Sequence, residues 1–158
     1  MNLADNNIGL EALENLCEGI RENQALVSIN LSGNTLNAEC AGVIFGCLRD
    51  NMTVQEINIA NKEKMHRNRI GSKGCIPLKN MLKTNRILSM INIAGNNIGG
   101  EGLKSIIEGL TGNEVMMSLN LSDNNLPASC IYSLMPVILQ GGIKELILRQ
   151  NELVDRVI

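Results

Sequence analysis

The side chains that could do chemistry in this sequence are few, and the most concentrated set lies in one stretch. Over Asn61-Lys62-Glu63-Lys64-Met65-His66-Arg67-Asn68-Arg69, the cations Lys62, Lys64, Arg67 and Arg69 stand against the single acid Glu63, with Lys73 close behind, in a chain whose formal net charge is −2. Such a cluster suits an acidic protein surface or a phosphate group, because both accept charge-assisted hydrogen bonds from Arg and Lys. The competing reading is a solvated loop, tolerated because extra loop residues cost little closure entropy. His66 is the only histidine. With no fixed nucleophile or acid beside it, it reads as a surface side chain of the same contact loop and not as a general base.

The remaining reactive groups do not assemble into a recognisable site. Cys17, Cys40, Cys47, Cys75 and Cys130 are odd in number and show no CxxC spacing, so neither a metal site nor a disulfide framework is expected, and a reducing, cytoplasmic compartment fits best. The run from Gly95 to Ser105 places a glycine-rich turn ahead of Lys104-Ser105, the outline of a phosphate-binding loop. In such a loop the Lys follows the last Gly directly, whereas here Leu103 intervenes after Gly102. The expectation is no catalytic residue, no cofactor and no enzyme activity of the chain's own.

What must position the basic cluster is a repeat. The pattern apolar-x-apolar-x-x-Asn-x-apolar recurs as Ile29-Leu31-Asn34-Leu36, Ile91-Ile93-Asn96-Ile98, Leu119-Leu121-Asn124-Leu126 and Leu146-Leu148-Asn151-Leu153, with Leu3-Asn6-Ile8 as a partial first copy. Ile57-Ile59 followed by Asn68-Ile70 is the same unit with six residues inserted before its Asn. The apolar residue three before each Asn, or Ile59 in the interrupted copy, advances by 28, 28, 34, 28 and 27 residues through Leu3, Leu31, Ile59, Ile93, Leu121 and Leu148. Two apolar residues flanking a polar one have the period of a short, half-buried strand. Asn6, Asn34, Asn68, Asn96, Asn124 and Asn151 fall where that strand must turn, and an Asn can both donate to and accept from turn backbone, so a structural ladder is expected.

After each Asn comes a helix-period segment with apolar rows at offsets of seven, ten and fourteen residues. The rows are Leu13, Ala41, Cys75, Leu103, Ile131; Leu16, Ile44, Leu78, Ile106, Leu134; and Ile20, Leu48, Leu82, Leu110, Ile138. At offset six stand the small residues Ala12, Cys40, Gly74, Gly102 and Cys130, which would let each helix lie close to its sheet. Pro127 occupies the helix-start position of Gly71 and Gly99, where its missing N–H is expected to cost nothing. Pro136 lies inside the last helix, where a kink is expected. Since no strand-helix unit can bury its apolar face alone, the units must stack: a curved α/β solenoid, with a parallel sheet on the concave face and helices on the convex one.

Leu26-x-x-Ile29-x-Leu31-x-x-Asn34-x-Leu36 and the long helical half that follows resemble the ribonuclease-inhibitor-type leucine-rich repeat, and the resemblance runs over essentially the whole chain. It implies a horseshoe of about five to six repeats across residues 1–158, working by protein recognition. The same class contains Ran GTPase-activating proteins, actin-pointed-end cappers and ciliary scaffolds. A non-catalytic scaffold is therefore the leading expectation, beside a GTPase-activating regulator and a cytoskeletal or axonemal docking element.

The partner is expected to be a protein. The net charge argues against a nucleic-acid face, and no apolar run approaches the roughly 20 residues that would span a membrane. The sequons at Asn30, Asn51 and Asn120 read as accidents of repeat composition. Outward strand positions hold Asn2, Asn30, Asn58, Asn92 and Asn120, with Glu56, Met90, Glu145 and Arg149 varying the theme. Glu56, Asn58, Met90, Asn92 and Arg149 are thus contact candidates beside the basic insert. Neither end shows a polar cap, so the expectation is a segment of a longer solenoid, or a short one that associates with itself through its uncapped ends.

Overall fold

A computed structural model of the chain describes residues 1–61 and 67–153. Five strands, β1 (Ser28–Asn30), β2 (Glu56–Asn58), β3 (Met90–Asn92), β4 (Ser118–Asn120) and β5 (Glu145–Ile147), alternate with five helices, α1 (Leu10–Glu22), α2 (Ala38–Leu48), α3 (Gly71–Thr84), α4 (Gly99–Leu110) and α5 (Cys130–Leu139). The strands form one parallel sheet in chain order. Equivalent residues are in register: Ile29 pairs Ile57, Ile57 pairs Ile91, Ile91 pairs Leu119 and Leu119 pairs Leu146. Asn2 adds an isolated parallel bridge to Asn30.

Each strand is short for a local reason. The outward residues Asn30, Asn58, Asn92 and Asn120 turn their side-chain oxygens back to accept the N–H two residues on, from Ser32 at 3.0 Å, Ala60 at 3.0 Å, Ala94 at 3.2 Å and Ser122 at 3.0 Å. An Asx turn of this kind ends the extended segment and steers the chain toward the rim. A glycan on Asn51 would have no room, since Asn51 is buried and donates to the carbonyl of Ile20 at 3.1 Å.

The core is a stack of aliphatic layers between sheet and helices. Ile29, Leu31, Ile57, Ile59, Ile91, Ile93, Leu119 and Leu121 are buried on the sheet side, facing Leu13, Ile44, Leu78, Leu103 and Ile106 on the helices. Two rows fail at their last member: Ile131 and Ile138 are 41% and 48% exposed, while Cys130, Leu134 and Val137 are the buried residues of α5. Leu16, in the first helix, is half-buried. Interior residues at these positions are covered by neighbouring helices on both sides, and α1 and α5 are each flanked by only one described helix.

The reading of Pro127 needs correction. Gly71 and Gly99 open α3 and α4 at φ of 59° and 63°, and their N–H groups donate to the carbonyls of Asn96 and Asn124 at 3.1 and 2.9 Å. A proline, fixed near −65° and lacking the N–H, can do neither. Pro127 instead forms an isolated bridge with Glu152, and α5 begins three residues later at Cys130. Pro136, expected to kink the last helix, lies within α5, which continues to Leu139, and Pro77 sits inside the longer α3.

Candidate protein binding surface

The turn asparagines form a chain of side-chain bridges between repeats. Asn34 Oδ1 accepts the N–H of Asn6 at 3.1 Å and of Ile8 at 2.8 Å. Asn124 Oδ1 does the same for Asn96 and Ile98, and Asn151 Oδ1 for Asn124 and Leu126. Around the insertion, Asn68 Oδ1 takes Leu36 N and Asn96 Oδ1 takes Ile70 N. The amides donate in the same sense: Asn34 to Leu3 O, Asn68 to Leu31 O, Asn96 to Ile59 O, Asn124 to Ile93 O and Asn151 to Leu121 O, all within 2.9–3.1 Å. Each side chain thus satisfies turn backbone of its own repeat's neighbour that burial would otherwise leave unpaired.

A second asparagine row lies at the other end of the helices. Asn23, Asn51, Asn85 and Asn113 each accept, through Oδ1, the N–H groups two and three residues on. Asn51, Asn85 and Asn113 also donate to the helix-terminal carbonyls of Ile20, Leu48 and Leu82 in the preceding repeat. Gln140 continues the row, accepting from Gly112 N and donating to Asn113 O. Its steps of 28, 34, 28 and 27 residues repeat those of the first ladder, which is the signal that would have exposed it.

The insertion is closed at its base by Asn61. Asn61 Oδ1 accepts Asn68 N at 2.7 Å, and its amide donates to Asn68 O at 2.8 Å and to Gly95 O. This reciprocal pair joins the residue before the extra segment to the ladder residue after it. Lys62, Lys64 and His66 lie outside the described residues.

Arg67 and Arg69 are exposed, and they line a shallow rim cavity of about 220 Å³ with Gly95, Asn97, Asp123 and Asn125. The cavity sits just past the ends of β2, β3 and β4. Asn97, Asp123 and Asn125 take left-handed backbone at φ of 56°, 51° and 54°, a conformation that Asn and Asp tolerate better than most residues. Asn125 Nδ2 donates to Asn97 Oδ1 at 2.7 Å, fixing two amides across neighbouring repeats. Two guanidinium groups beside two amide side chains can present a fork of donors to a carboxylate or phosphate, with Asp123 the one opposing charge in the lining.

The concave candidates are partly gathered. Glu56 pairs Met90 and Asn58 pairs Asn92 across β2 and β3, so these four share one patch, with Met90 39% exposed. The two asparagines spend their oxygens on the Asx turns already described. Arg149 is exposed beyond β5, and its carbonyl accepts Asp123 N at 2.8 Å, which ties its backbone to the repeat of the rim cavity and not to the β2–β3 patch.

Nucleophilic chemistry finds little to use. All five thiols are buried and free. The hydrogen bond with Cys47, reinforced by burial, holds Cys17 well above the ordinary thiol range, and burial pushes Cys75 up to about 12. Among the described residues, no group of three His, Cys, Asp or Glu side chains is placed to hold a metal ion. No helix of those residues is long and apolar enough to cross a membrane.

Residues 84–106, which carry β3 and the Asn96 turn, match the Leucine Rich repeat family model. The fold is an α/β leucine-rich-repeat solenoid. The solved structure of Leiomodin-1 Actin-Binding Site 2 superposes on it with a TM-score of 0.70 at 20% sequence identity, covering 89% of this chain and 78% of that one. No curated protein sequence matches the chain.

Proposed function

We propose that this leucine-rich-repeat domain is a non-catalytic protein-interaction scaffold that recognises an acidic partner surface at the strand-end rim. The observation that carries the reading is the rim cavity, where Arg67 and Arg69 meet the linked amides of Asn97 and Asn125 directly beyond the β2–β3 patch. Lys62 and Lys64 belong to the same segment of chain and, against the single acid Glu63, extend its positive charge; His66 lies in the same segment. Electrostatic complementarity of this sort sets specificity and association rate more than it sets affinity. A full helix in each repeat of about 28 residues supports assignment to the ribonuclease-inhibitor-type subclass.

A second reading is cytoskeletal docking. It is favoured by the likeness to the actin-binding segment of Leiomodin-1, which supplies a specific partner to try first. The test is co-sedimentation of the chain with filamentous actin, run beside a variant carrying Lys62→Ser, Lys64→Ser, Arg67→Ser and Arg69→Ser. Pelleting of the parent and release of the variant would support both readings together. Pelleting of both proteins would keep the cytoskeletal reading and remove the rim from it. If neither pellets, cytoskeletal docking fails, and chemical cross-linking in lysate would then show whether Arg67 and Arg69 face a different partner.

A further inference from the structure

The five buried thiols are not placed alike. Cys75 and Cys130 face glycine across their joints: a Cβ on Gly102 would fall 3.1 Å from Cys75 Sγ, and one on Gly100 would fall 3.6 Å from Cys130 Sγ. Gly74 holds the position of Cys40, and a Cβ there would fall 3.1 Å from Ala41 Cβ, so by repeat equivalence Cys40 faces Leu13. At the α1–α2 joint, thiol is set against thiol. Cys47 Sγ donates to the Cys17 carbonyl at 3.4 Å, and Cys17 Sγ donates to Val43 O at 3.9 Å.

Repeat geometry explains the approach. Cys17 and Cys47 stand where Lys79 and Gly109 stand in the α3–α4 joint. There a Cβ on Gly109 would come within 2.9 Å of Lys79 Cα and 3.0 Å of Lys79 O, so this pair of positions brings one Cβ against the other residue's main chain. A disulfide needs its two Cβ atoms roughly 3.5–4.5 Å apart, a span within reach of such an approach. Above the pair, the α1–α2 groove opens a cavity of about 380 Å³ lined by Glu14, Glu18 and Arg21 on one side and Gly42, Val43 and Gly46 on the other. A Cβ on either glycine would meet nothing within 4 Å, so the groove is open to a small molecule next to Cys47.

We propose that Cys17 and Cys47 form a reversible oxidation site, at which a hydroperoxide closes a disulfide between α1 and α2. Hydrogen bonding by Cys17 holds the Cys47 thiol below its ordinary range, against burial and with Arg21 helping, so Cys47 is the attacking sulfur. Its thiolate takes one oxygen of hydrogen peroxide as the O–O bond breaks; Cys47 becomes a sulfenic acid, and the other oxygen leaves as hydroxide and recovers the Cys47 proton as water. Cys17 sulfur then attacks Cys47 sulfur, and the S–O bond breaks. Hydroxide departs with the Cys17 proton as a second water. Two thiols have lost two electrons, and the peroxide has gained them. In a reducing compartment such a bond lasts only while oxidant is present, because ambient thiols exchange it open again.

The test is to treat the folded chain with hydrogen peroxide, unfold it in N-ethylmaleimide and map its peptides by mass spectrometry. The expected product is a peptide pair joined through Cys17 and Cys47, lighter by two hydrogens than the separate thiol peptides, with Cys40, Cys75 and Cys130 all alkylated. Dithiothreitol should restore both thiols, and the urea midpoint of the oxidised chain should rise, since the bond closes the loop from residue 17 to 47. In Cys17→Ser, Cys47 should stop at the sulfenic acid and be trapped by dimedone; circular dichroism checks that this variant is folded, and the parent's map decides the question without it. Alkylation of all five cysteines after peroxide, a disulfide joining any other pair, or Cys47 passing to sulfinic acid in the parent without the linked peptide would each overturn the proposal.

Discussion

Asn124 holds the backbone of Asn96 across a full repeat: its Oδ1 accepts Asn96 N at 2.9 Å and Ile98 N at 3.3 Å, while its amide donates to Ile93 O at 3.0 Å. All of these groups are out of contact with water. The ladder is therefore cooperative between neighbours, and a break at one rung strands polar groups on two repeats.

Asn124→Ala is expected to destabilise the chain by about 3 kcal/mol or more, since each buried backbone group left unsatisfied costs roughly 1–3 kcal/mol. Asn6→Ala should cost less than about 1 kcal/mol, because Asn6 is exposed and its one side-chain bond among the described residues, to Ala4 O, is local. Urea unfolding of both variants checks the contrast, and equal losses would show that the ladder does not act through its buried rungs.

The second row makes a parallel prediction at the helix ends. Asn85 donates to Leu48 O and Asn51 O and accepts from Ile87 N and Leu88 N, so Asn85→Ala should cost about 2–4 kcal/mol. Amide hydrogen exchange should show the loss at the α2 end as well as at residues 87 and 88, because the bond crosses to the preceding repeat.

Glycines in the helices divide by what a methyl group would meet. Gly109→Ala would bring a Cβ to 2.9 Å from Lys79 Cα and 3.0 Å from Lys79 O, and backbone does not yield easily, so a loss of about 1–3 kcal/mol is expected. At Gly46 nothing lies within 4 Å, and Gly46→Ala should stabilise α2 by about 0.5–1 kcal/mol through lower unfolded-state entropy. Thermal unfolding of the pair reads both signs at once.

The Cys75 thiol gives a pH dependence. Its value rises from an ordinary 9.0 to about 12 on folding, so the folded state favours the protonated form. The stabilisation is complete below pH 9, and it declines as pH rises toward 12 because the unfolded chain ionises first, by up to about 1.4 kcal/mol per pH unit. Cys75→Ala should be less stable at neutral pH and should lose that part of the alkaline slope. Identical slopes in parent and variant would show that the thiol ionises in the folded state as readily as in the unfolded one.

Much of this architecture was legible before any coordinates, because period and offset are properties of the chain itself. The spacing of Ile29, Leu31 and Asn34 and its recurrences specify strand, turn and stacking together. Burial is different: Ile131 and Ile138 match their rows in type and offset, yet whether they are covered depends on a neighbour and not on the residue. Pro127 was misread because the position it shares with Gly71 and Gly99 requires left-handed backbone and a donor, neither of which appears in an apolar pattern. Asn85 and its companions recur at the steps of the first ladder, but spacing alone does not show the bonds they make to the preceding repeat. The rim cavity needed three repeats at once, with Asn97 and Asn125 turned toward each other beside Arg67 and Arg69.

The Asn61–Asn68 clasp separates the length of the inserted segment from the regularity of the scaffold. Because the two residues hold each other's polar groups, the ladder meets the same rung whatever chain runs between them, and closing a longer segment adds only a slowly growing entropic cost. The site between them is thus an exchangeable cassette: foreign peptides of varied length could be displayed there, on a rigid frame, without re-engineering the repeats on either side.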